Sequence, residues 1–571
     1  MILIITHWLL VIYLNLVIGF SIAWLFNNKN PNINIGLPLV ILLGWALNTL
    51  FFAIWALFGP INLLALSCLV ALSALLIYIN HQDLKCYLSA ELKHFRSFHL
   101  FAIIFAVLLM AIGVLKTLGP TEIYDEAHAY LPFFKMLSEW GLTKGFGNLH
   151  INATYNSFWH YSSVGFGGFL QPAFTRLFNL NGLLMLVFAI AAGSALNRVI
   201  KNKNCFADYL LMIAPFLVFR NQLSSPATDV VVAIIGWILF SELLRKNNTN
   251  YKQVLFSSAI IIISWLFTIK VTTSWLLILI PVLLYYLKKT GEKPGKIATA
   301  ALISACFAAV WFLGNYMLTG YVYFVKPAID LFDPIWKVPL EFTYPGYDTK
   351  FLPLKEISWA AITQWFSYYT AFEKLLIISV PLAFGILIYA ISRKKKQQNN
   401  YGVLPALTIT LFLGIVLWFK TNTELRYGIL QISTSALLGI ALIIWYAREH
   451  LHLQKLTAYG LIGFALISSG YNFYKTQKEY AFFTKHLLHP SPYPKVEFEC
   501  EVQNGITFHK PTRYISAPSD RYVFYWNSAK DLGHTPMWET PIPWSSSLKK
   551  QPHIHMLGTE YKDGFYNNLN N

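Results

Sequence analysis

A chain of 571 residues that is 56% hydrophobic and only 12% charged carries too little polar surface to stay dispersed in water, which excludes a soluble globular protein. Its formal net charge of +17 is divided among many short loops rather than gathered on one face, which argues against nucleic acid as a partner. About 20 apolar residues cross a bilayer, and on that ruler the sequence predicts an all-α polytopic membrane protein with about 14 transmembrane helices.

In chain order the apolar segments fall at 8–26, 36–58, 61–79, 99–116, 180–198, 206–220, 227–244, 254–268, 271–287, 297–316, 374–391, 403–419, 427–446 and 456–471. The first lacks a basic leader and a small-residue cleavage site, so it reads as a retained helix. Residues 1–98 form an N-terminal scaffold of helices. Residues 99–471 form the transmembrane core, interrupted by long polar loops at 117–179 and 317–373. Residues 472–571 read as a small exported C-terminal domain in which Val496–Glu501 and Tyr522–Trp526 have strand composition. Basic residues such as Lys93, Arg96, Lys201, Lys203, Arg245 and Lys288 recur in alternate loops, which the positive-inside rule places in the cytoplasm. Both long loops and the tail then face outward. Cys500 is the one cysteine of the exported segments, so no disulfide framework is expected there.

The loop 117–179 opens with Tyr124-Asp125-Glu126-Ala127-His128-Ala129-Tyr130, directly beyond an apolar span. Tyr130, Phe134 and Leu137 then share one helical face while Lys135, Ser138 and Glu139 share the other. That spacing predicts an amphipathic helix over 125–140 lying along the membrane surface. A carboxylate at the bilayer edge stays ionised and can accept a proton from a hydroxyl beside a membrane-anchored donor. The alternative is that Asp125 and Glu126 merely open the helix, where acids offset the N-terminal dipole. Three cations fall at outward span ends, Lys270, Arg426 and Arg220, and they either meet a phosphate or anchor their helices at the interface. His128 lies one helical turn from Asp125. Asp229 reads either as a substrate contact or as the first-turn acid of the helix that follows it. A divalent cation, Mg²⁺ or Mn²⁺, held by Asp125, Glu126 and phosphate oxygens is compatible with this set, although no accompanying His-rich motif demands one.

Asp125-Glu126-Ala127-His128 resembles the acidic motif of the C-type glycosyltransferases, among them the protein O-mannosyltransferases, and Leu425-Arg426-Tyr427-Gly428 resembles the Arg-Tyr element of the same superfamily. A wider likeness runs through Gly145-Phe146-Gly147-Asn148-Leu149-His150, Ser224-Ser225-Pro226-Ala227-Thr228-Asp229, Trp336-Lys337-Val338-Pro339 and Lys562-Asp563-Gly564-Phe565-Tyr566. It is to bacterial multi-pass membrane proteins grouped with those enzymes by architecture. The resemblance implies a C-type glycosyltransferase-like fold in the bacterial inner membrane with its site facing the periplasm. It implies inverting transfer of a hexosyl or pentosyl group from a polyprenyl-phosphate sugar to a lipid-linked or cell-envelope glycan. Asp125 and Glu126 would be catalytic, with His128, Lys270, Arg426 and Asp229 at the substrates. A flippase or transporter of lipid-linked glycans would instead place ionisable groups near the middle of the spans. A glycan polymerase or ligase would share the outward loops without needing paired acids in the first.

Overall fold

In hydrocarbon a backbone N–H has no partner but the chain itself, so the long Leu-, Ile-, Val- and Phe-rich runs fold as helices. The computed structural model describes residues 2–33, 35–118, 130–167, 179–203, 205–218, 223–245, 249–324, 330–340, 358–393, 403–421, 423–447, 451–480, 495–515 and 553–568. Among these, eleven helices are long and apolar enough to cross a membrane. They are α1 (Ile2–Phe26), α2 (Leu37–Ala56), α3 (Leu63–Arg96), α4 (Leu100–Leu118), α8 (Asn181–Ile200), α11 (Thr249–Ile269), α12 (Leu279–Lys289, entered through the 3₁₀ turn Val271–Ile278), α13 (Pro294–Thr319), α15 (Ala371–Arg393), α16 (Leu404–Thr421) and α17 (Leu425–Tyr446). The other three predicted segments fall on α9 (Phe206–Ile213), α10 (Thr228–Leu244) and α18 (Leu451–Tyr480), the last with an apolar stretch at Tyr459–Tyr471. Between α4 and α8 lie three short helices, α5 (Leu131–Glu139), α6 (Phe146–Leu149) and α7 (Phe158–Gly167), and α14 (Trp359–Ser367) precedes α15.

Two devices bring the first helices together. At the α1–α2 crossing Gly19 and Gly44 allow backbone contact, since a Cβ on Gly44 would stand 1.7 Å from Asn15 O. Beside it Asn48 Nδ2 donates to Asn15 Oδ1 at 2.6 Å. Helix α3, at 34 residues, is about 51 Å long and exceeds the hydrocarbon thickness. It breaks at Asn80, whose φ of −127° is non-helical and whose Nδ2 donates to Ser21 Oγ. Beyond that kink Leu84 and Tyr87 still pack inward, Tyr87 against Phe20 with ring centroids 5.3 Å apart.

The insertion 130–167 covers one end of the bundle. The expected surface helix is corrected here: α5 begins at Leu131 and is covered on both sides, with Phe133, Phe134, Met136 and Leu137 fully buried and Lys135 only 8% exposed. The cause is a wedge. Ile61 N–H donates to Leu137 O and Leu142 N–H donates to Ala56 O, so α5 sits between α7 and the α2–α3 turn. Gly141 closes it at φ +77°, where a Cβ would meet Gly59 O at 2.5 Å. Lys135 tolerates this because Glu139 stands 3.7 Å away, one turn on. The remainder of the predicted helix, 125–129, lies outside the described residues.

Side-chain amides stitch the insertion to the helix ends. Asn156, held at φ 45°, donates to Trp311 O and Asn315 Oδ1 while accepting from Tyr161 OH at 2.7 Å. Asn181 donates to Ser225 O and Ala227 O and accepts from Trp159 Nε1. The tail joins the same end. Strands β1 (Lys495–Gln503) and β2 (Ile506–Ile515) form one antiparallel hairpin, β3 (Ile554–Met556) and β4 (Phe565–Asn567) a second. The second docks on the insertion through Phe565 N–H to Lys144 O at 3.0 Å, with Trp140 against Tyr561 and Phe565. Tyr522–Trp526, expected as a strand, lies outside the described residues.

Candidate active site

Helix α10 opens at Thr228, and its first-turn acid is Asp229. Helix α11 ends at Ile269, and Lys270 follows in extended conformation (φ −151°, ψ 114°) before the chain turns back. The two ends are adjacent, and Lys270 Nζ forms an ion pair with Asp229 Oδ1. Both side chains are largely withdrawn from solvent, 12% and 8% exposed. The same ammonium lies 4.5 Å from the ring centroid of Tyr427, in the first turn of α17.

Arg426 shares that ring. Its Cζ is 5.0 Å from the Tyr427 centroid, its Nη2 donates to Tyr427 OH at 3.2 Å, and its Nε is 2.9 Å from Glu424 Oε1. Arg426 and Glu424 are open to solvent, 36% and 31% exposed, so this half of the cluster is the accessible one. The turn that carries them is fixed from beneath. Trp418 Nε1 donates to Glu424 O at 3.0 Å, Tyr369 OH donates to Thr423 O, and Trp365 packs on Tyr369 and Trp418. Two cations within about 5 Å of one ring, each with a single carboxylate partner in the ion pairs just given, make a polar mouth suited to a phosphate. A planar guanidinium can grip two oxygens there, whereas the ammonium acts as a point charge.

The insertion is joined to this cluster at two points. Ser157 Oγ donates to Ile269 O at 2.7 Å, one residue before Lys270. His160 hydrogen-bonds the Pro226 backbone, three residues before Asp229, and its ring packs 4.7 Å from Tyr130, the first described residue after the acidic stretch. Asp125, Glu126 and His128, together with Arg220, lie outside the described residues. Of the expected site residues the structure therefore brings Lys270, Asp229 and Arg426 together around Tyr427. Glu424 was not anticipated, and its signal was an acid two positions before Arg426. Asp229 is a first-turn acid, as one of its two readings held, and also the partner of Lys270. Among the described residues no group of three or more His, Cys, Asp or Glu side chains converges, so the Mg²⁺ or Mn²⁺ expectation rests on Asp125 and Glu126.

Burial holds the His160 ring neutral and pushes its pKa down to about 3 from 6.5, with the Pro226 hydrogen bond opposing. The unfolded chain takes up this proton near pH 6.5 and the folded chain only near pH 3, so the contribution is fully favourable above pH 6.5. It is lost as pH falls, by about 1.4 kcal/mol per unit. We expect His160→Phe to flatten the acid limb of a thermal-stability profile between pH 7 and pH 5. Equal slopes in the two proteins would assign the limb to other groups.

A family model described as a domain of unknown function (DUF8201) matches residues 1–433. No curated protein and no solved structure matches the chain. The match ends within α17, just past Arg426 and Tyr427, so it includes the whole cluster and leaves out α18 and both C-terminal hairpins.

Proposed function

We propose that this chain, which belongs to the DUF8201 family, is an inverting membrane glycosyltransferase of the C type, using a polyprenyl-phosphate sugar at the outer face of the bacterial inner membrane. The observation that carries the reading is the joining of the acidic insertion to a two-cation cluster. Tyr130 packs on His160, which bonds beside Asp229, while Ser157 bonds beside Lys270. In this reading Asp125 takes the proton of an acceptor hydroxyl as its oxygen attacks the anomeric carbon. The bond from that carbon to the phosphate oxygen breaks, and the polyprenyl phosphate leaves with the electron pair. Lys270 and Arg426 offset the charge that grows on it. Glu126 and His128 orient the acceptor, a lipid-linked or cell-envelope glycan, and a divalent cation at Asp125 and Glu126 would assist the phosphate. The orientation rests on the basic residues at the opposite end, Arg198, Lys201, Arg245 and Lys296 among them.

The distribution of charge disfavours a transporter. Among the described residues, apart from the polar part of α3 beyond Asn80, the charged and histidine side chains of the apolar helices sit near helix ends, as His7, Lys116, Arg198, Asp229, Glu242, Lys420 and Arg426 do. A translocation path calls for such groups near the midplane.

The test is transfer from a polyprenyl-phosphate sugar in proteoliposomes. Asp125→Asn should lower the rate by about 10²-fold with protein level unchanged, the range for losing general-base assistance. Glu126→Gln should cost less. Arg426→Lys should weaken donor binding although the charge is kept. Full activity in Asp125→Asn would remove the base, and donor binding indifferent to Arg426 and Lys270 would remove the phosphate site.

A further inference from the structure

About 20 Å of helix separates Asp229 from Glu242 on α10, and at the Glu242 end a cavity of about 420 Å³ opens between the α1–α2 connection, the far part of α3 and the ends of α8 and α10. Its size falls in the range of small-ligand sites. One part of its lining is cationic. Arg198 donates through Nε and Nη2 to Asp208 Oδ1 at 2.9 and 2.6 Å, and Arg245 donates through Nη1 to Glu242 Oε1 at 2.8 Å. Both guanidiniums are 19% exposed, and His94, also in the lining, feels the charge of both. Another part is acidic. Glu91 has no ion-pair partner among the described residues, and the nearby charge acting on it is that of Glu242, of like sign.

This pattern selects against simple ions. Arg198 and Arg245 are balanced by Asp208 and Glu242, which leaves Glu91 as the uncompensated charge of the lining: a lone anion is repelled by it, and a lone cation offers no acceptor to the remaining N–H groups of Arg198. A small zwitterion meets both walls. The guanidinium side suits phosphate, which accepts a charge-assisted hydrogen bond from Arg198 Nη1, the nitrogen that the Asp208 bonds do not use. The carboxylate side suits a primary ammonium, because a quaternary one has no N–H to donate. We propose that this cavity binds a phosphoethanolamine group, with its ammonium at Glu91 and its phosphate at His94 and Arg198. The site lies at the end where basic loop residues gather, level with the headgroups of one leaflet, and it stands independently of the reaction proposed at the other end.

The test uses the full-length protein in detergent, with thermal unfolding followed during addition of phosphatidylethanolamine, phosphatidylglycerol, phosphatidylcholine or free phosphoethanolamine. Phosphatidylethanolamine should raise the melting temperature and the other two lipids should not. Glu91→Gln should weaken that effect by about tenfold or more in apparent affinity, as expected for losing a charge-assisted hydrogen bond. Glu91→Lys places an ammonium in the cavity itself, so it should abolish the lipid effect while melting, without lipid, no lower than the parent. A Glu91-dependent response to free phosphoethanolamine would identify a soluble source of the group, and a response to the lipid alone would identify the membrane. Equal stabilisation by phosphatidylglycerol, or a phosphatidylethanolamine effect unchanged in Glu91→Gln, would overturn the assignment.

Discussion

Lys270→Met should destabilise the folded protein by about 3 kcal/mol, at the lower edge of what is seen when one partner of a buried ion pair is removed. Asp229 would then keep its charge at 8% exposure with only the α10 dipole to offset it. A helix terminus contributes up to about 2 kcal/mol, less than the several kcal/mol that desolvating a carboxylate costs, so the dipole does not rescue it. Adding Asp229→Asn removes the stranded charge, and the double variant should recover most of the stability. Transfer activity should not recover with it, since the ammonium proposed to meet the donor phosphate is still missing. Unfolding in detergent and donor turnover, measured on both single variants and the pair, separate the two roles. If the double variant regained turnover along with stability, Lys270 would be a structural partner of Asp229 and nothing more.

Gly44→Val should be the most damaging single substitution in the N-terminal helices. A Cβ there lies 1.7 Å from Asn15 O and 2.7 Å from Gly19 N, contacts with backbone that no rotamer can relieve. The helices must separate, which also breaks the buried Asn48–Asn15 hydrogen bond. Overpacking costs about 1–3 kcal/mol and a buried polar group left unpaired about 1–3 more. The sum of about 4 kcal/mol is a large part of an ordinary stability margin. Yield after solubilisation and melting temperature should both fall sharply. Gly385→Ala on α15 is the control, because a Cβ there has nothing within 4 Å, and it should be nearly neutral. Equal behaviour of the two variants would mean that the close crossing is not a determinant of folding.

Hydrophobicity made the helices legible, since each apolar run had to close its own hydrogen bonds. The depth at which α5 lies was not legible. Its spacing describes a surface helix, and what buries Lys135 is a wedge between α7 and the Gly59–Gly141 contact, two segments far apart in sequence. Hairpin β3–β4 escaped notice because strands of three residues are too short to show alternation. Lys270 and Arg426 could be singled out as lone cations at outward span ends. Their common partner could not, because Tyr427 joins them only after helices 41 and more residues apart are brought side by side, as Lys270 and Asp229 are.

Asn148 donates to the carbonyl of Phe565, 417 residues further along the chain. At synthesis rates of about 5–20 residues per second, roughly 20–80 s pass between the appearance of the donor and that of its acceptor. Until then Trp140 lacks the Tyr561 and Phe565 rings, and the turn at Gly145, where a Cβ would strike Phe565 O, has no seat. This face is thus late to mature, closing only once the segment around Phe565 has been made and has reached the insertion. A chain ended between residues 481 and 564 would keep helices α1 to α18 and leave this surface open, without the Phe565 backbone that Asn148 and Lys144 meet there.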